Sequence, residues 1–584
     1  MGAPRRRRSR LRALSPISRP LRWSRRDVLK RLGGAAGLVV AAPLLSACGQ
    51  SGAPQGGNAV DPGTPPPAGV SPFNHGLASG DPMSDRVILW TRATPVAAEE
   101  IAVTVKVYRD TALSQLVGSM SQAATAARDW TIKIDFSGLA AATTYYFQFE
   151  ALGFKSIIGR TRTAPAVATE RLRFGLVSCS SYAHGFFNAY AFLAKRADID
   201  AVLHLGDYIY EYASDAASGD EVYGTARPYE PTYEMKSLAD YRTRHSYYKR
   251  TDPDLQELHR QFPFVTIWDD HESTDNSYRD GAANHNEDGK DEGVWTERKA
   301  IAQRAYDEWM PIRYPEPGNV SRIWRSYRYG NLVELFMTDS RLYDRDVQVS
   351  TPIVPGDSTI TQADRVMLGV EQRDWLLEGL AASTATWKLV GNQVVFHQWN
   401  YQPGPNAIGY TGLNGDSWDA YKAEREIIIN ALRDGPIDNV VILTGDVHST
   451  WVADITEDPN NPLVYTPDIA TTELRTYSGS VAVEYVVTSV TSPGALPDLM
   501  GAEDAFAAIN PHIKKINLAD KGYAVLDVTA ERVVCEHWFV STIAERGGSE
   551  SFGFAYPTPV GENRIRAALS GPTTAPANPP PLAP

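Results

Sequence analysis

Hydrophobic and polar positions along the chain fall into distinct regimes. Residues 32–47 form a weakly apolar stretch broken by Gly33, Gly34, Gly37 and Pro43, and it follows a run of arginines. Residues 49–71 are mostly Gly, Pro, Ala and Ser with few large apolar side chains, the composition of a flexible tether, and residues 570–584 share it. From 73 to 165 the signals are for strands, at 85–90, 101–108, 130–136 and 143–151, separated by short polar or Gly-containing breaks. This region reads as a small all-β sandwich domain without obvious chemistry. After about Glu170, apolar runs alternate with helical stretches. The runs at 172–178, 201–205, 264–268, 332–338, 388–396 and 440–444 are short and rich in β-branched or aromatic residues, as expected of buried strands in a layered α/β domain. The expected organisation is a leader (1–47), a linker (48–72), the β-sandwich domain (73–165), an α/β domain with a sheet core flanked by helices (166–556) and a C-terminal tail (557–584).

The leader ends its basic region in Ser24-Arg25-Arg26, and its apolar stretch is shorter than the ~20 residues of a spanning helix. It reads as a twin-arginine signal peptide, with the twin-arginine export machinery as the implied partner. Leu45-Ser46-Ala47-Cys48 resembles a bacterial lipobox, in which the cysteine becomes the lipidated first residue of the mature protein. An extracytoplasmic protein anchored to a membrane is expected, in the periplasm or at the cell surface, where acyl chains on one cysteine contribute ~0.8 kcal/mol per buried methylene. Export of an already folded chain suits a protein that takes up metal as it folds.

The formal charge of −12 understates the acidity of the remainder, because the leader holds twelve Lys/Arg against one acidic residue. A nucleic-acid-binding surface is therefore not expected, whereas a cation-filled pocket is easily accommodated. With Cys48 assigned to lipidation, Cys179 and Cys535 remain. Either they form one disulfide or Cys179 is a metal ligand, and its position favours the second.

That position belongs to a recurring pattern at the ends of the apolar runs. The first run leads to Cys179, the second to Gly206-Asp207-Tyr208-Ile209-Tyr210, the third to Asp269-Asp270-His271-Glu272, the fifth to His397 and the sixth to Gly445-Asp446-Val447-His448. In an open α/β sheet the carboxyl ends of parallel strands face one crevice, so these groups are expected to converge. One aspartate after a strand is commonly a helix cap; a repeated placement is harder to explain that way.

Gly-Asp-x-x-Tyr, a His-Glu pair preceded by a carboxylate, and Gly-x-x-His together resemble the calcineurin-like metallophosphoesterases, in the version of the PhoD-like alkaline phosphatases and phosphodiesterases. Further stretches carry the likeness, among them 73–82, 268–272, Asp339-Ser340-Arg341, Gly391-Asn392-Gln393 and 416–419. The resemblance implies an Fe3+ held by Cys179, Asp207, Tyr210 and His448, with Asp207 bridging to Ca2+ that Asp270 and Asp446 also bind, and a second Ca2+ nearby. Phenolate and thiolate donors suit Fe3+, and carboxylates suit Ca2+. It further implies hydrolysis of phosphate mono- or diesters by metal-activated hydroxide. His271 is expected near the leaving group, Asn276 and Arg341 either at the phosphate or in a structural salt bridge or turn contact, and Asp269 and Glu272 behind the ligands. Val394-Val395-Phe396-His397 fits the spacing of an imidazole ligand used elsewhere in the superfamily, and either a ligand or a hydrogen-bonded histidine at the pocket edge is open for His397.

Neither Gly-x-x-x-x-Gly-Lys-Ser/Thr nor Gly-x-Ser-x-Gly occurs, against a nucleotide-triphosphate loop or a serine-nucleophile elbow. A monomeric enzyme is expected. The rival from another class is a non-catalytic surface lipoprotein that binds a partner through its β domain.

Overall fold

The computed structural model describes residues 71–95, 99–213, 227–286, 292–351, 353, 357–400, 414–467, 479–494 and 500–584. The signal peptide, Cys48 and nearly all of the linker lie outside these residues.

Strands come first along the chain: β1 (Leu77–Gly80), β2 (Arg86–Arg92), β3 (Ile101–Tyr108), β4 (Leu116–Ala124), β5 (Thr131–Ser137), β6 (Thr144–Ala151), β7 (Phe154–Lys155) and β8 (Gly159–Arg162). Then follow β9 (Arg171–Val177), β10 (Ala201–His204), β11 (Pro263–Thr266), β12 (Arg325–Tyr329), β13 (Val333–Met337), β14 (Trp387–Gly391) and β15 (Val440–Thr444), with helices between many of them. The last are β16 (Thr450–Thr456), β17 (Ser480–Val486), β18 (Ile513–Asn517), β19 (Gly522–Thr529), β20 (Arg532–Val540) and β21 (Glu550–Pro559).

Every strand expected from the apolar runs is present, with ends shifted by a few residues; the run at 388–396 stops pairing at Gly391. The arrangement differs from one open sheet. A nine-stranded sheet, β21-β20-β19-β9-β10-β11-β1-β2-β5, faces a seven-stranded sheet, β12-β13-β14-β15-β17-β16-β18. One core joins them: Leu176, Leu203 and Val265 of the first pack with Leu335, Leu389, Val441, Leu443 and Val483 of the second. The period-two alternation of a strand explains the layering. Val441 and Leu443 face the other sheet, while Val440 and Ile442 face a second core with the helices Val370–Ala382 and Lys422–Asp434. The helices Leu238–Thr251, Pro253–Gln261 and Trp295–Trp309 contribute to the first core.

In the N-terminal region the sheet β4-β3-β6-β7, with β8 on β6, packs its apolar face over β2 and β5. This is a two-layered β arrangement, but one layer is part of the nine-stranded sheet, since β1 pairs in parallel with β11. The boundary at residue 165 therefore separates segments that share a sheet.

Residues 570–584 depart from the expected tether, and β21 runs through the boundary at 557. Arg171 donates to the carbonyl of Thr574 at 2.7 Å, the N–H of Thr573 to Glu536 at 3.1 Å, Tyr146 to the carbonyl of Pro581 at 2.6 Å, and the N–H of Ala583 to Gln261 at 2.8 Å. Proline-rich chain lies at low entropic cost in an extended groove where its carbonyls find donors. Composition alone could not reveal those donors. No helix among the described residues is long and apolar enough to cross a membrane.

Candidate metal centre

In the first sheet β9, β10 and β11 run parallel; in the second β13, β14, β15 and β17 do. Their carboxyl ends meet, so the convergence expected within one sheet is achieved between two. Both Gly-Asp motifs owe their glycine to this crowding, from the neighbouring strand's loop at Gly206 and from the facing sheet at Gly445. A Cβ on Gly206, whose φ is +105°, would lie 2.4 Å from Cβ of Asp269, and one on Gly445 would lie 2.8 Å from Cβ of Ser178. The adjacent backbone is bent as sharply: Cys179, Asp207, Asn276, Asp446 and His448 all have φ between 53° and 62°. Left-handed backbone is uncommon outside glycine, is best tolerated by Asn, Asp and His, and concentrates where surrounding structure imposes it.

The side chains form three overlapping groups, each able to present one donor atom per residue within 4.8 Å of the others: Cys179, Asp207 and His448; Asp207, Asp270 and His271; and Asp269, Asp270 and Asp446. Asp207 belongs to the first two and Asp270 to the last two. Tyr210 joins the first group, its hydroxyl 3.0 Å from Oδ2 of Asp207 and 3.3 Å from Nε2 of His448. Ser492 donates to the Tyr210 oxygen at 2.6 Å. Cys179 and Cys535 are both free and buried, so the described structure has no disulfide between them. Cys535 lies instead beside His537.

Electrostatically the site is over-supplied with anions. Burial, reinforced by the neighbouring Asp270, pushes the Asp207 carboxyl up to about 6. Burial raises Asp269 well above the carboxylate range despite Arg341, and raises the Cys179 thiol with help from Asp207. Oδ1 of Asp207 and Oδ2 of Asp269 are buried without a hydrogen-bond partner. Such oxygens are expensive unless a cation or donor meets them, and a thiol, a phenol and an imidazole beside carboxylates are a fitting donor set.

The surroundings of three of these residues sharpen the expectations. Arg341, expected to grip phosphate or form a structural salt bridge, is fully buried and turned onto carboxylates. Its Nε donates to Asp269, Nη1 to both oxygens of Asp416 at 2.8 and 2.9 Å, and Nη2 to Asp446 at 2.8 Å, with Asp270 at 3.5 Å. A guanidinium with no exposure must be paired, and the nearest partners are the ligand carboxylates. His397 has both ring nitrogens engaged, Nδ1 with Glu484 at 2.6 Å and Nε2 accepting from the Trp399 indole at 2.8 Å. It is a hydrogen-bonded histidine outside the three ligand groups. Asp269, expected only behind the ligands, stands among them.

His271 and Asn276 are placed at the same crevice. His271 is held by Glu211 through Nδ1 and lies against Tyr210, ring centroids 4.2 Å apart. The N–H of Asn276 donates to Asp270 at 2.5 Å. Sequence reasoning missed Glu211 and gave Asp416 no role. The adjacency of Glu211 to Tyr210 was its only signal, and the Arg345 and Arg341 contacts of Asp416 come from distant segments.

Two facing sheets with hard and soft donors gathered at their strand ends define a hydrolase of the metallophosphoesterase kind. The chain matches the PhoD-like phosphatase family over residues 174–537 and the N-terminal domain of PhoD-like phosphatases over 59–165. It is 32% identical over 540 residues to alkaline phosphatase D of Bacillus subtilis (strain 168), covering 91% of this chain and 86% of that protein. A solved structure of PhoD aligns with a TM-score of 0.74 at 30% identity, over 87% of this chain and 94% of that one. The chain belongs to the PhoD-like phosphatase family and is a phosphatase acting on phosphate esters.

Proposed function

We propose that this chain is an exported, lipid-anchored phosphatase or phosphodiesterase whose centre holds Fe3+ and Ca2+ together. The observation that carries this reading is the sharing of Asp207 and Asp270 among three adjoining donor groups, a layout suited to neighbouring cations. Cys179, Asp207, Tyr210 and His448 would hold Fe3+; Asp207, Asp270 and Asp446, with Asp269 beside them, would hold Ca2+. When bound, such cations supply Lewis acidity toward phosphoryl oxygens and make water acidic enough to yield hydroxide near neutral pH.

The chain's own residues complete the chemistry. Glu211 fixes Nδ1 of His271, which leaves the opposite nitrogen to hand a proton to the departing alkoxide. The amide of Asn276 donates to a phosphoryl oxygen. Arg341 orders Asp269, Asp416 and Asp446 rather than meeting the phosphate directly. The intact donor set argues against the non-catalytic lipoprotein reading.

Elemental analysis of protein exported by its native host, alongside turnover of a chromogenic monoester and a diester, tests the centre. Iron and calcium together with turnover support it; an active protein without iron removes the Fe3+ assignment. Export and anchoring rest on Arg25-Arg26 and Cys48. Arg25→Lys with Arg26→Lys is expected to block export, and Cys48→Ala to free the exported protein from the membrane. A Cys48→Ala protein still membrane-bound after a salt wash would defeat the lipid anchor.

A further inference from the structure

Two glutamates that belong to none of the donor groups each reach across to the other's loop. Glu211 lies in the loop after β10, directly after Tyr210. Its Oε2 accepts from Nδ1 of His271 at 2.7 Å, and its Oε1 from the N–H of Asp275 at 2.7 Å and the hydroxyl of Thr274 at 3.2 Å. All these donors sit in the loop after β11. Glu272 makes the opposite crossing. From the loop after β11, its Oε1 accepts the N–H of Tyr208 at 2.5 Å and its Oε2 the N–H of Asp207 at 3.2 Å, while Oε2 also takes the N–H of Asp269 at 2.8 Å. Both side chains are buried, at 0% and 2% exposure.

The strands feeding these loops are already registered without the glutamates, by the pairs Val202↔Phe264, Leu203↔Val265 and His204↔Thr266. What the glutamates add lies beyond the last pair, where no ladder bonds remain to fix one loop against the other. That stretch includes Asp207 with its φ of 57°, left-handed backbone that is uncommon outside glycine and gains from a partner that holds it. The bond from Glu272 to the Asp207 N–H is one such hold.

We propose that Glu211 and Glu272 are reciprocal positioning residues that lock the Asp207–Tyr210 loop to the Asp269–His271 loop, and so set the spacing of the cations that share Asp207. The inference rests on the multinuclear reading of the centre. It assigns no ligand role to either glutamate. Their carboxylates act through backbone N–H groups and one imidazole, as partners behind metal ligands commonly do.

The test compares Glu211→Gln, Glu272→Gln and the double variant with wild type and with Glu424→Gln. Glu424 is also a buried glutamate gripping two backbone N–H groups, those of Met367 and Leu368, but it sits on the outer helix Lys422–Asp434. Calcium retention is read by metal analysis across a chelator titration, with the melting temperature and visible spectrum recorded in parallel. Each single variant is expected to release calcium at about 10–100-fold lower chelator. The double variant is expected to fall little further than the weaker single, because both residues brace one gap, and Glu424→Gln is expected to release calcium as wild type does. Wild-type retention in either single variant, or equal loss in Glu424→Gln, overturns the brace. A wild type that binds no calcium overturns the metal-centre reading first, which distinguishes the two failures. Hydrogen exchange of the wild type needs no variant to fold. Peptides covering the amides of Asp207, Tyr208, Asp269 and Asp275 are expected to be protected like β10 and β11, and exchange at the rate of open loops overturns the proposal.

Discussion

Nδ1 of His448 lies 2.6 Å from the carbonyl oxygen of Pro493. A carbonyl only accepts, so Nδ1 carries a proton, and in the neutral ring the lone pair is on Nε2, which faces Tyr210 and Asp207. The backbone after β17 thereby orients the imidazole for the ligand role proposed for it. His448→Asn tolerates the left-handed backbone of this position and removes the imidazole. Its iron content is expected to collapse, and its kcat/KM to fall by more than the roughly 10–100-fold typical of residues behind a metal ligand. Iron per chain and turnover on a chromogenic ester measure this; a variant with full iron would exclude His448 as a ligand.

Tyr210 offers a spectroscopic test. Under the proposed Fe3+ assignment a Tyr210 phenolate would give the protein a visible charge-transfer colour, which Tyr210→Phe is expected to bleach. Ser492→Ala removes the hydroxyl that donates to the same oxygen at 2.6 Å and is expected to shift the band without abolishing it. A chelator should strip the oxygen-bound calcium first, so activity is lost while colour persists and returns on adding calcium. A colourless, fully active wild type would contradict the assignment.

Glu424 gives a pH dependence away from the metal centre. Burial pushes its carboxyl up to about 7 from an ordinary value of 4.5. Between those values the folded protein retains a proton that the unfolded chain has released, so this contribution to stability is present on the acid side and is lost as pH rises toward 7. The glutamate's Oε2 accepts both the Met367 and Leu368 N–H groups, a role the amide oxygen of glutamine can fill. Glu424→Gln is expected to flatten the slope and to be more stable than wild type above pH 7, by about 1–3 kcal/mol. Melting temperatures across pH 5–8 with metals saturating provide the check, and parallel curves for the two proteins would refute it.

The segment 570–584 ties β20, β6 and the helix Pro253–Gln261 together through Thr573, Pro581 and Ala583. Removing it is expected to lower the melting temperature by a few degrees while kcat stays unchanged, since its contacts lie outside the donor groups. An unchanged melting temperature would show that the segment contributes nothing to stability.

How much was legible follows from the range of each signal. The ligand candidates could be read because each follows an apolar run directly, and run and ligand are local in sequence. The strands β3 and β6 were equally plain, since Val103, Val105 and Val107 alternate with polar neighbours. Edge strand β4 was missed because most of its residues are exposed and carry little apolar pattern. The pairing of the two sheets depends on a shared core that draws Leu203 and Val441 from distant segments, which periodicity cannot register. For Arg341 residue type left phosphate binding and a structural salt bridge both open; its neighbours are carboxylates contributed by segments 72, 75 and 105 positions away, which no local pattern reveals.

The left-handed backbone at Cys179, Asp207, Asp446 and His448 bears on how an inactive form of this phosphatase should be made. Alanine at these positions removes a donor and also places a side chain that disfavours positive φ in that conformation. An activity loss measured that way mixes lost ligation with a collapsed loop. Asparagine tolerates the same backbone while surrendering the negative charge of aspartate. Asp207→Asn and Asp446→Asn are therefore the substitutions suited to an inactive form whose loops keep their shape, so that a loss of turnover reports on the missing charge rather than on a rebuilt backbone.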